Sequence, residues 1–423
     1  MRNRQIKLLW ISPMAPYNAV GHAGGKTDNF YVKSFSRDAQ FDVTLLTYAL
    51  GQEAPIVRKE FLECEIKAEI IEHPSSFVGR LFWKGMNAET VLNPFNRYAG
   101  LTRNQTAIRL MRRLNKIKKE SGYTPDIIFL NWTQTVLLAK KIKAMFPHSR
   151  IVAVEVDVAF LGYKRHIVEA HNALLSKVWK YKYKKLKMLE LQSLQITDKV
   201  IVNNSKDWEL LVNEMIPSQR IFSLSPFYQP MFDVQRVEQP KRIILFYGAM
   251  NREENWKSAI WFIEKVLPKL NDTDIEFHIV GGNPNPILKR YQSERIKILG
   301  YVNDLKNVFA ESLCLVAPLV LGAGIKVKIL EALSAGIPTL TNGIGIEGIP
   351  ALDGKHYFCC EEPKEYESVI RGLLNGVYDV QRMGSDAKQL VREHFDFHHD
   401  ATRLKNMLLS LQSADDDLDG IKK

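Results

Sequence analysis

Runs that are apolar at almost every position recur along this chain, each followed by a segment of helix length. Two of them read "DIIFLNW" (126–132) and "KVIVNN" (199–204). A strand with one face in water alternates apolar and polar residues, whereas a strand covered on both faces is apolar throughout. The pattern therefore specifies parallel sheets with helices on both sides. In the first half, strands are expected at 6–12, 41–49, 64–73, 126–132, 150–157, 199–204 and 221–225. Helices are expected at 25–38, 104–121, 134–145, 171–195 and 205–214, the last capped by Ser205.

A stretch with three prolines and little periodicity, "PFYQPMFDVQRVEQPKR" (226–242), interrupts this rhythm. The same alternation then restarts. Strands are expected at 242–250, 276–282, 296–302, 313–319, 337–342 and 356–361. Helices are expected at 254–270, 286–293, 305–310, 325–335, 363–375 and 386–411. A chain of 423 residues exceeds what one core usually organises. The reading is an α/β protein of two Rossmann-like, doubly wound domains facing each other across a cleft. The expected division is 1–230, a linker at 231–241, a second domain at 242–385, a helical region at 386–412 that returns to the first domain, and a frayed polar tail at 413–423. Ligands of such sheets bind outside the carboxyl ends of the strands.

Charge is unevenly placed. The net charge is +11, with +14 over residues 1–237 and −3 over the remainder. An anionic partner for the first half follows: a nucleic acid, a membrane surface or a phosphorylated substrate. No zinc finger, aromatic RNA-binding pair or helix-turn-helix pattern supports nucleic acid. The four cysteines, Cys64, Cys314, Cys359 and Cys360, lack C-x-x-C spacing and are expected to be reduced thiols. No apolar run reaches the ~18 residues of a membrane span, and the apolar start at 6–11 is too short for a signal sequence. A cytoplasmic location is expected.

Two glycine segments could hold an anion. "NAVGHAGGKTDNF" (18–30) ends in Gly25-Lys26-Thr27, but a P-loop needs glycine at position 20, where Val20 stands. The NTPase reading fails on that missing residue. Gly21, Gly24 and Gly25 still lie between a strand and a helix, where they could bring backbone close to a diphosphate or simply turn the chain. The second segment is "APLVLGAGIKVKILEALSAGIPTLTNGIGIEGI" (317–349). Here a buried strand meets Gly322-Ala323-Gly324, and a helix follows with Lys326 and Lys328 in its first turn. Lysines there oppose the helix dipole unless an anion compensates them. Glu331 is spaced to meet a ribose diol. Solvated helix charges are the other reading of these residues.

The second segment resembles the nucleotide-sugar signature of the GT4 family of retaining glycosyltransferases, in its G-A-G-I-K variety. Further likeness runs through "GHAGG", "TDKVIVNNSKDWELL", "LFYGAMNREENWKSAIWFIEKVLPKL", "EFHIVGGNP" and "LGYVNDL". The resemblance implies the GT-B fold and transfer of a sugar from a nucleotide diphosphate sugar. It places the donor against Gly24, Gly25, Arg252, Lys257, Gly322, Gly324, Lys326, Glu331, Gly343, Gly345 and Glu347. Glu331 matches the second glutamate of the E-x7-E motif, and Ala323 stands where the first would fall. Lys326 meets the diphosphate, and Asp157 faces the reacting sugar. Asp157 could equally be a capping or paired acid. No metal and no other cofactor is expected: nothing resembles a D-x-D cation site, and His166 and His171, five apart, are wrongly spaced for one helical face. Lysines and dipoles would stabilise the departing diphosphate, with the anomeric configuration retained.

The acceptor is expected to be a glycan or a lipid-linked glycan, in bacterial surface polysaccharide or glycoconjugate synthesis. "KVWKYKYKKLKMLELQ" (177–192) sets Lys177, Lys180, Lys184 and Lys187 on one helix face among aromatic and apolar residues. That pattern suits an anionic membrane surface, at the inner face of which the protein would sit peripherally. "RLMRRLNKIKKE" (109–120) is a second basic helix, and "VGRLFWKGMNAETVLNPFNRYAG" (78–100) reads as an acceptor-side loop. Solvated helix faces are the alternative.

Overall fold

The computed structural model describes residues 4–21, 23–73, 96–169, 172–321 and 324–420. Most of the 78–100 loop, together with Gly322 and Ala323, lies outside the described residues. The chain divides into two compact units. One comprises Met1–Val20, Gly24–Leu224 and His398–Lys423; the other comprises Ser225–Phe397 with Gly21–Ala23.

The first unit is built on a seven-stranded parallel sheet. Its strands are β1 (Ile6–Ser12), β2 (Phe41–Leu50), β3 (Lys67–His73), β4 (Ile127–Asn131), β5 (Arg150–Glu155), β6 (Lys199–Val202) and β7 (Ile221–Ser223), in the order β3-β2-β1-β4-β5-β6-β7. Its helices are α1 (Ala23–Ser36), α2 (Ala54–Glu63), α3 (Asn104–Ser121), α4 (Thr133–Val136), α5 (Ala139–Met145), α6 (Ala159–Glu169), α7 (Ala173–Ile196) and α8 (Ser205–Asn213). Successive residues of β1 feed opposite faces, as the pleat requires. Leu9 and Ile11 join one core with Leu130 and Ile151, while Leu8 and Trp10 join the other with Leu45 and Phe129.

The second unit has six parallel strands: β8 (Lys241–Tyr247), β9 (Glu276–Val280), β10 (Ile296–Gly300), β11 (Ser312–Ala317), β12 (Thr339–Thr341) and β13 (Phe358–Cys359). Their order is β10-β9-β8-β11-β12-β13. Its helices are α9 (Glu253–Lys265), α10 (Leu305–Glu311), α11 (Val327–Ala335), α12 (Gly343–Ile346), α13 (Pro363–Leu374) and α14 (Val380–His394), and the last helix, α15 (Phe397–Gly420), belongs with the first unit, whose core takes Leu404, Met407 and Leu408. The chain order leaves β8 in one direction for β9 and β10, then returns to its other side for β11. The β8/β11 edge is thus a topological switch point, as is β1/β4 in the first unit.

Several elements differ from the expected ones. β5 stops at Glu155, because its neighbour β6 ends with Val202 opposite Glu155, so Asp157 lies in the bend beyond the strand. α1 starts at Ala23, which puts Gly24 and Gly25 inside its first turn. The cap of α8 is Asn204, whose side chain accepts the Asp207 N–H at 2.8 Å, and Ser205 is the first helical residue. The 134–145 helix is two, α4 and α5, and 286–293 is a 3-10 turn, Pro286–Tyr291. The C-terminal region is likewise two helices, α14 and α15, and the second continues to Gly420 where a frayed tail was expected. Residues 225–240 group with the second unit. Hydrogen bonds hold them there: Met231 N–H donates to Ser334 Oγ at 3.0 Å, and Arg236 donates to the carbonyls of Phe309 and Ser312 at 2.6 Å each.

Candidate active site

At the switch point of the second unit, three strands end in loops that carry the residues in question. β8 runs into Gly248, which has a φ of +158°. Only glycine is at ease there, and a Cβ on the neighbouring Gly281 would collide with the Gly248 carbonyl. β11 runs into the segment that ends at Gly324, in the left-handed region with a φ of +66°. That turn delivers Lys326 as the extended residue before α11, one step outside the helix rather than in its first turn. The first-turn lysine is Lys328.

Lys326 is half-buried. Its ammonium donates to the Gly324 carbonyl and lies 3.5 Å from Glu347 Oε2. One turn into α11, Glu331 is buried. It accepts the Gln229 N–H at 3.3 Å and a hydrogen bond from the Tyr247 hydroxyl at the end of β8. Burial, then the Glu331 charge, holds that phenol well above its usual range. An ionised carboxylate offers about four acceptor positions, the chemistry a diol needs.

β12 leads to Asn342, which caps α12 by accepting the Gly345 N–H at 3.1 Å and donates to the Leu319 carbonyl at 2.9 Å. The loops after β11 and β12 are thereby tied together. Gly343 N–H points to Glu361 Oε1 at 2.7 Å. Gly345 has a packing reason to be glycine, since a Cβ would collide with Thr341 Oγ1.

Of the residues singled out from the sequence, Gly324, Lys326, Glu331, Gly343, Gly345 and Glu347 fall on these loops and on α11. Arg252 and Lys257 stand at the start of α9 and are engaged locally. Arg252 pairs with Glu254 at 2.5 Å, and Lys257 pairs with Glu253 one helical turn away. Sequence reasoning passed over Tyr247, Asn255 and Glu361. Lys328 was noted there only as a first-turn charge. Its ammonium donates to Asn255 Oδ1, and burial pushes its pKa down to about 7.

In the first unit, Gly24 packs under the ring of Trp132, where a Cβ would come within 2.7 Å of Cη2. Trp132 itself has a φ of +70° at the end of β4. Asp157 is exposed, but the bend that carries it is built on buried acids. Glu155, the last residue of β5, accepts from Thr133 Oγ1. Glu190 of α7 accepts the N–H groups of Ala159 and Phe160, at 2.9 and 3.1 Å, at the start of α6. Burial pushes Glu190 up to about 8. Burial and then the Glu190 charge raise Glu155 well above the carboxylate range. On α7, Lys177, Lys180 and Lys184 are exposed. Lys187 is not part of that open face; it pairs with Glu214 at 2.5 Å.

Residues 241–376 match the family described as glycosyl transferases group 1. The match lies in the second unit, and the two parallel-sheet units have the GT-B fold. Among solved structures, HepE of Anabaena, determined in complex with UDP, superposes with a TM-score of 0.65 at 12% identity, covering 96% of this chain and 100% of that one. Sucrose-phosphate synthase of Thermosynechococcus elongatus gives 0.67 at 13%, covering 97% and 100%. At such identities the likeness speaks for the fold. An uncharacterized 44.6 kDa protein in the cps region of Klebsiella pneumoniae is 23% identical over 184 residues, which span 41% of this chain and 46% of that protein. Among the described residues, no helix is long and apolar enough to cross a membrane.

Proposed function

We propose that this chain is a retaining glycosyltransferase of the GT4 type, moving a sugar from a nucleotide diphosphate sugar to a glycan or lipid-linked acceptor. One observation carries the reading. A lysine ahead of a helix N-terminus and a buried carboxylate one turn later meet at the switch point of a unit that matches a glycosyltransferase family. Lys326, the start of α11 and the glycine-loop amides would stabilise the charge that grows on the leaving diphosphate. A well-aimed donor of this kind is typically worth ~3 kcal/mol of barrier. Glu331 would hold the ribose. Attack from the same face as departure, with a donor phosphate oxygen taking the acceptor proton, accounts for retention. Asp157 would face the reacting sugar.

The test is a thermal-shift panel of UDP, GDP, ADP, CMP and their sugars. A ligand of the native state raises the melting temperature by mass action. UDP is the first probe, since HepE was crystallised with it. One nucleoside diphosphate should stabilise the protein, and Lys326→Ala and Glu331→Ala should each remove the effect. Retention of the shift in both variants would refute the site.

The acceptor side is read as membrane-facing. α7 exposes Leu174 at 74%, Leu175 at 44%, Tyr181 at 44% and Met188 at 51%, interleaved with Lys177, Lys180 and Lys184. Apolar groups beside lysines suit an anionic lipid surface, and the Klebsiella relative from a cps region agrees with surface-polysaccharide work. Flotation with anionic vesicles at low salt should carry the protein, and ~0.5 M salt should release it. Absence of binding, or binding indifferent to salt, would refute this part.

A further inference from the structure

We propose that Lys328 is a positioning residue of the donor crevice, a strut that fixes the β8 glycine turn through Asn255. The inference rests on the donor-site reading above.

The geometry begins with Asn255, which is buried near the start of α9. Its Nδ2 donates to the Ala249 carbonyl at 2.9 Å, so it holds the turn that leaves β8. The same amide closes over Gly248, where a Cβ would stand 3.0 Å from Nδ2. The remaining Oδ1 takes the Lys328 ammonium. Lys328 also lies 5.1 Å over the ring of Phe246, one residue from the end of β8. A parallel tie joins the same helix to the β11 loop, since Val320 N–H donates to Ser258 Oγ at 3.1 Å. The β8 turn, the start of α9 and the start of α11 are therefore one hydrogen-bonded frame, with Lys328 on the α11 side.

The groups acting on this lysine come from the neighbouring elements. Burial lowers its pKa to about 7, Glu254 at the start of α9 opposes that, and Arg252 and Lys326 add to it. Two charges on the helices packed against α11 are engaged elsewhere. Lys388 of α14 donates to the carbonyls of Phe232 and Val234, and Lys306 of α10 pairs with Asp233 at 2.6 Å. A group with a pKa of about 7 is roughly nine-tenths unprotonated at pH 8. An arriving diphosphate adds negative charge beside two lysines and an arginine, which favours the ammonium form. Binding then draws a proton from the buffer.

The experiment is titration calorimetry of the full chain at pH 8 with UDP, GDP and ADP, in buffers of different ionisation enthalpy. The wild type should take up close to one proton per diphosphate bound. Lys328→Met should lose that uptake and bind roughly tenfold more weakly. Lys328→Arg should recover affinity without uptake, because a guanidinium is already charged. Asn255→Ala, which removes the strut and keeps the lysine, should weaken binding while uptake persists. No uptake by the wild type, the same uptake by Lys328→Met, or wild-type affinity in Asn255→Ala would overturn the proposal. Failure of the wild type to bind any of the three would instead overturn the donor-site reading and this inference with it.

Discussion

Replacing Glu190 with glutamine should reverse the stability ranking of the first unit between pH 5 and pH 8. Glu190 is raised from 4.5 to about 8, chiefly by burial. The native state thus holds this proton more tightly than the unfolded chain does. Stability is fully present below pH 4.5 and is lost as pH rises toward 8. At 1.36 kcal/mol per pH unit, the full window is worth up to ~5 kcal/mol. Glutamine does not titrate and escapes that loss. It gives up something else, because Glu190 serves two backbone donors, Ala159 N–H at 2.9 Å and Phe160 N–H at 3.1 Å. One carbonyl oxygen cannot serve both as well, at a cost of ~1–3 kcal/mol at any pH. Glu155 moves the balance the same way, since the Glu190 charge helps to raise it. The variant should therefore be the less stable protein at pH 5 and the more stable one at pH 8. Hydrogen exchange at the Ala159 and Phe160 amides, corrected for intrinsic rates, reads this locally, and urea unfolding reads it globally. A variant-minus-wild-type difference that is equal at both pH values would refute the reasoning.

Glycine substitutions at the second site should separate packing from function. Gly345→Ala collides with Thr341 Oγ1 and should cost ~1–3 kcal/mol, seen as a lowered melting temperature. Gly343→Ala meets only the end of the Glu361 side chain, at 3.2 Å, and should stay within ~0.5 kcal/mol of the parent. In the first unit, Gly24→Ala drives a methyl group into the Trp132 ring; it should destabilise by ~1–3 kcal/mol and shift tryptophan emission.

The sheets were legible because a parallel strand must be apolar on both faces, and all thirteen strands fall within expected runs but for a residue or two at their ends. Strand ends were less legible, because a strand ends where its neighbour does. The alternation of the run 150–157 continues past Glu155 to Val156, yet β6 offers no partner beyond Val202. α2 was overlooked although Ala54, Val57 and Phe61 have helical spacing; Pro55 reads as a breaker but is tolerated in a first turn. In the candidate site, Lys326 and Glu331 could be read from the chain because the glycine turn and helix lie in one local segment. Tyr247 and Asn255 come from the β8–α9 unit, three strands earlier in the chain, and no local pattern links them to α11. The buried acids Glu155 and Glu190 were hidden for the same reason. Their meeting depends on how α7 packs across the sheet.

On the proposed function, the second unit grips a nucleoside diphosphate at the carboxyl ends of β8 and β11. A crystal structure of the protein with the nucleoside diphosphate that stabilises it most tests this directly. The diphosphate should lie within hydrogen-bond reach of Lys326 and the amides near Gly324, with the ribose hydroxyls on Glu331. A nucleotide bound elsewhere, with no ribose hydroxyl on Glu331, would refute this.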